Sequence, residues 1–89
     1  MGQKMVQSSA GMADLDELKA MIEAALPGAE VEVLDEGGGD HLRAVVAAPQ
    51  FAGMKLIDQH RAVRNAVRER FEDGSIHALS IETAVPGSS

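Results

Sequence analysis

The sequence predicts an α+β domain: a three-stranded mixed sheet covered by helices on one face. Three observations predict it. Residues 14–26 repeat apolar side chains at helical spacing. Residues 30–35 and 41–48 read as two strands around a glycine run. Residues 58–71 then form a long amphipathic helix that leads into a third strand at 76–83. The order is helix, strand, strand, short turn or helix, long helix, strand. A hairpin followed by a helical crossover gives a mixed sheet, and the crossover is expected to be right-handed.

Each element has its own warrant. In the first helix Leu15, Leu18, Ile22, Ala25 and Leu26 make one buried face. Asp14 is a good N-cap, Glu17 stands three residues on, and Pro27-Gly28 stops the helix. In the first strand Val31 and Val33 face inward; the second, HLRAVVAA, is rich in Val and small residues. Gly37-Gly38-Gly39 joins them as a mobile tip. Pro49 ends the second strand, Phe51 is an expected anchor, and Gly53 permits a sharp turn. Asp58 is the expected N-cap of the main helix, and Val63, Val67 and Phe71 form its buried stripe. Asp73-Gly74 closes it. The last strand opens with His77, whose side chain is expected on the same side as Leu79, Ile81 and Thr83. Residues 1–13 are read as a disordered leader, 14–86 as the domain and 87–89 as a frayed end.

Composition narrows the function. The chain has 89 residues, 45% hydrophobic and 25% charged, with no Trp or Tyr and only two Phe, so its core must be aliphatic. It has no cysteine, which excludes a thiolate metal site and a cysteine nucleophile of its own. No apolar run approaches the ~18 residues needed to cross a membrane. The expected location is cytoplasmic, without a membrane partner. The net charge of −6 argues against generic attraction to nucleic acid. Its distribution is uneven, however: nine of fourteen acids lie between Asp14 and Asp40, and six of eight bases between Arg43 and Arg70. A bipolar surface suits a protein partner better than a polyanion.

Candidate chemistry rests on three histidines, His41, His60 and His77. No two stand at metal-ligand spacing, and the ordinary role of such residues is structural or solvated. His60 borders the buried stripe and is read as structural. His41 and His77 both open strands, and can converge on one edge of the sheet. The row Arg61, Arg64 and Arg68 is an ordinary solvated face, a protein docking surface or a set of phosphate contacts. Lys55, just ahead of the helix, joins it as a docking candidate. The acids Asp35, Glu36 and Asp40 lack calcium-loop spacing. No nucleophile and base come with a plausible orienting group, so no enzyme activity is expected.

The motifs Phe51-x-Gly53, His60-Arg61-x-Val63 and Ile76-His77-Ala78-Leu79-Ser80-Ile81, followed by Thr83 and Pro86, resemble the BolA-like family. The resemblance spans roughly residues 14–86. It implies a class II KH-like fold, helix-strand-strand-helix-helix-strand, without the GxxG loop of RNA-binding KH domains. It further implies a partnership with a monothiol glutaredoxin, in which a bridging [2Fe-2S] cluster is shared with that protein and glutathione. The family's C-terminal histidine maps onto His77, and the loop ligand onto His41. No cluster is expected on the chain alone, which would be a monomer or weak homodimer. The resemblance therefore implies a role in iron-sulfur cluster delivery or iron regulation. Some members of the family act as transcription regulators, so DNA binding through the basic helix 58–71 is the alternative.

Overall fold

The computed structural model describes residues 14–39 and 41–87. The leader read at residues 1–13, Asp40 and the last two residues of the expected frayed end lie outside them. The described chain runs α1 (Leu15–Ala25), β1 (Glu30–Gly37), β2 (His41–Ala47), a 3-10 turn (Pro49–Phe51), α2 (Leu56–Ala66), α3 (Arg68–Glu72) and β3 (Ala78–Ala84). The sheet order is β1-β2-β3, antiparallel between β1 and β2 and parallel between β2 and β3. This is the mixed sheet expected from a hairpin followed by a helical crossover.

α1 forms where its pattern puts it, although Leu15 is only half-buried and Ala25, expected on the buried face, is exposed. The Asp14 carboxylate accepts from the backbone N–H groups of Asp16 (3.0 Å) and Glu17 (3.3 Å), two donors that lack partners inside the helix. Leu18 and Ile22 are buried on the sheet-facing stripe, and Leu26 closes it. The strands alternate. Val31 on β1 and Leu42, Ala44 and Val46 on β2 are buried under the helices. Leu79, Ile81 and Thr83 continue that face on β3, half-buried. Phe51 is 1% exposed, the anchor its position suggested, and packs in one cluster with Val63, Val67 and Ile76. Burying a Phe side chain is worth roughly 1.5–3 kcal/mol, a large contribution to a core this small.

Two helical boundaries depart from the sequence reading. The main helix starts at Leu56, not Asp58, with Lys55 at the N-cap and no capping bond from its side chain. Gln59 compensates. Its amide donates to the carbonyl oxygen of Met54 (2.9 Å), and its Oε1 accepts from the Thr83 hydroxyl (2.5 Å). The start of α2 is thereby tied both to the preceding turn and to β3. Asp58 falls in the first turn, where a carboxylate still favours the helix dipole.

The second departure is a break at Val67, whose φ of −116° and ψ of 21° leave the helical region. Its N–H bonds back only three residues, to the Arg64 carbonyl (3.2 Å), and α3 follows as a separate short turn. Val67 stays buried, while Phe71 is half-buried with the Arg64 guanidinium 4.1 Å from its ring centroid. The Asp73-Gly74 stop holds as read. Gly74 has a φ of 84° and its N–H reaches the Phe71 carbonyl, while that of Ile76 reaches the Arg70 carbonyl.

Candidate functional site

The site is the corner where β2 and β3 begin. His41 is the first residue of β2, and its register partner on the parallel strand is Ala78. His77 immediately precedes Ala78. It lies one residue ahead of β3 instead of opening it, so the alternation expected of its side chain does not apply. Strand spacing of about 4.8 Å plus one Cα step of about 3.8 Å puts the two histidine Cα atoms within roughly 9 Å. Both side chains are exposed. Next to His77, Ile76 is buried and its N–H bonds to Arg70, which fixes the backbone that delivers the imidazole.

The hairpin sets the other side of the corner. Read as a mobile glycine tip, its described part is organised by Asp35, whose carboxylate accepts from the N–H groups of Gly37 (2.8 Å) and Gly39 (3.2 Å). The register shifts between Asp35 and Gly37, so Glu36 is the extra residue of a bulge. Gly37 then pairs with His41. Two of the acids near this loop therefore have local work, and Asp40 lies outside the described residues. Asp35 caps the turn, and Glu36 bonds the Arg43 guanidinium at 2.9 Å.

Arg43 was not singled out by the sequence. It sits on the central strand and joins Glu36 of β1 to Glu82 of β3, so one side chain links all three strands on the face turned away from the helices. The hydrogen bond that the guanidinium donates to Glu36 first, then the charges of Glu36 and Glu82, raise the Arg43 pKa further above its ordinary value. The signal was unreadable in the chain because Arg43 and Glu82 stand 39 residues apart.

His60 is half-buried on α2, in keeping with a structural role. Arg61 and Arg64 are exposed on α2, Arg61 lying 3.8 Å from Asp58; Arg68, read as part of the same row, is exposed too but opens α3 beyond the break at Val67, 3.7 Å from Glu72. Lys55 is exposed at the head of α2. Sequence reasoning missed Leu56 and Ile57, which are 62% and 56% exposed beside these bases. The available signal was that Ile57 falls in phase with Arg61 and Arg64 and out of phase with Val63.

Could this corner hold a metal? Among the described residues no group of three or more His, Asp or Glu side chains is arranged to do so, and the chain has no cysteine. An iron-sulfur cluster takes four protein or cofactor ligands, usually thiolates, with imidazole replacing two in Rieske centres. His41 and His77 fit half of such a donor set. The sulfur would have to come from another molecule.

Fold and corner together define a small α+β domain that presents two imidazoles, and no thiol, from one end of its sheet. The chain belongs to the BolA-like protein family, whose sequence model matches residues 18–88. It is similar to a BolA protein homologue from Coxiella burnetii, at 37% identity and a TM-score of 0.70 over 84% of this chain and 94% of that one. The BolA domain of SufE1 from Arabidopsis thaliana superposes with a TM-score of 0.70 at 26% identity, over 81% of this chain and 91% of that domain. BolA-like protein 1 of Mus musculus is 32% identical over 77 residues, which take 78% of this chain. They take 56% of the mouse protein, so this chain spans little more than half of that relative.

Proposed function

We propose that this chain is a non-enzymatic partner of a monothiol glutaredoxin and shares a bridging [2Fe-2S] cluster with it, for iron-sulfur cluster delivery or iron regulation. The observation that carries the reading is the pairing of two exposed histidines at one sheet corner in a chain without any thiol. His77 and His41 would supply two nitrogen ligands; the glutaredoxin cysteine and glutathione would supply two sulfurs. Imidazole in place of thiolate raises a cluster's potential, which suits a cluster that is handed on or sensed.

What this chain contributes is placement. Ile76 anchors the backbone before His77, and Asp35 and the Glu36 bulge set the turn before His41. Lys55, Arg61, Arg64 and Arg68 offer an exposed basic surface for docking. Mixing the chain with a monothiol glutaredoxin, iron, sulfide and glutathione under anaerobic conditions should give a coloured heterodimer. Its visible spectrum should differ from that of the glutaredoxin alone. A glutaredoxin spectrum unchanged by this chain would contradict the reading.

The second reading is a DNA-binding transcription regulator that uses the basic helix. The exposed arginine row favours it; the net charge of −6 opposes it. It requires duplex binding that weakens steeply with salt and when the three arginines are replaced. No binding at low salt would dismiss it.

A further inference from the structure

Among the described residues the helices cover one face of the sheet and leave the other open. That is unusual for the parallel β2–β3 pair, because parallel strands are ordinarily covered on both sides. The register places Glu32, Val45 and Glu82 in one row across the open face and Glu30, Ala47 and Ala84 in the next. Around Glu30, Glu32, Val45 and Ala47 lies a shallow depression of about 230 Å³. Its floor is apolar and its rim acidic. Among the described residues neither Glu30 nor Glu32 has an ion-pair partner.

The opposite side of the same domain carries the complement. On α2, Ile57, Arg61 and Arg64 follow at spacings of four and three and form one exposed edge. Ile57 is 56% exposed, and Arg64 is held over the Phe71 ring without a carboxylate partner among the described residues. The edge is an apolar side chain followed by two cations, of which Arg61 lies 3.8 Å from the Asp58 carboxylate. The depression is an apolar floor flanked by two carboxylates.

We propose that the open face around Glu30, Glu32, Val45 and Ala47 receives the Ile57–Arg61–Arg64 edge of α2 from a second copy of this chain. Ile57 sits over Val45 and Ala47, and the two arginines meet Glu30 and Glu32. The two surfaces differ and lie on opposite sides of the domain, so the contact is heterologous. It leaves a free surface at each end and grows as an open chain instead of closing into a symmetric dimer. Exposed pairs of this kind are weak and screened by salt, so the assembly forms at high protein concentration and low ionic strength. This contact needs no glutaredoxin and no cluster. If the arginine edge also docks a glutaredoxin, the two contacts compete, and that consequence alone rests on the function proposed above.

Sedimentation velocity of the full chain tests it. The wild-type sedimentation coefficient should rise with protein concentration at low salt, without a dimer plateau, and return to the monomer value on adding salt. E30Q/E32Q and R61Q/R64Q, which neutralise one surface each, should both be monomeric alone. Mixed in equal amounts, they still have one intact surface apiece and should form a heterodimer that grows no further. A wild-type chain that stays monomeric throughout, as it would if the face served only a different basic protein, overturns the proposal. So does association that survives both double substitutions, or a mixture that remains monomeric. The wild-type salt series stands as a test even if a variant folds poorly.

Discussion

His41 and His77 stand one residue apart in register across the parallel β2–β3 ladder, because His41 pairs with Ala78. In sequence they are far apart, and the α2–α3 crossover lies between them. The crossover returns the chain to the end of the sheet where β2 began. The parallel pairing, not any local motif, creates the corner.

Asp35 shapes the turn that leads to His41, through its bonds to the N–H groups of Gly37 and Gly39. Asp35→Ala should cost about 1 kcal/mol, the usual net worth of such local bonds. Amide hydrogen exchange should speed up at Gly37 and Gly39 while α1 stays protected. Unchanged exchange at both glycines would show that the turn is set by something else.

Phe51 is one of only two aromatic residues and is fully buried among aliphatic side chains. Phe51→Ala should remove about 3–5 kcal/mol. A domain of this size has a total stability on the order of 5–15 kcal/mol, so the variant should be near or past its unfolding limit. Urea denaturation followed by far-ultraviolet circular dichroism measures the loss. A cost under about 1 kcal/mol would mean that Phe51 is not the keystone of this core.

Asp73 is held below the usual carboxylate range, mainly by hydrogen bonding to Ser75, whose N–H lies 2.8 Å from its Oδ1. A folded-state pKa below the unfolded value contributes stability above the unfolded value, about 3.9. That contribution is lost as the pH falls through the folded value. The Asp73 carboxyl carbon should therefore titrate by NMR with a midpoint below the ordinary Asp value. Asp73→Asn should flatten the acid limb of stability against pH. An ordinary midpoint would remove this turn from the acid response.

The fold was legible where local chemistry and the apolar period agree. Asp14 caps α1, Leu18 and Ile22 recur on its buried face, and the Asp73-Gly74 stop sits where its residues put it. The break at Val67 was hidden because Val63, Val67 and Phe71 keep helical phase straight through it. The start of α2 was misplaced because Asp58 is a better capping residue than Lys55. The actual restraint is Gln59 reaching Thr83, a contact made only after β3 has docked. At the candidate site, each histidine was visible as a residue near a strand start. Their adjacency depended on the parallel register, and the Arg43 link between Glu36 and Glu82 on knowing which strand is central.

We propose that His77 gives its imidazole to iron held jointly with sulfur from another protein. The most direct measurement is the visible absorption and circular dichroism spectrum of the anaerobically reconstituted complex with a monothiol glutaredoxin, wild type against His77→Ala. His77 is exposed, so the substitution should leave the fold intact. The variant should still fold, and the cluster bands should shift or disappear. Cluster bands identical to those of the wild-type complex would contradict it.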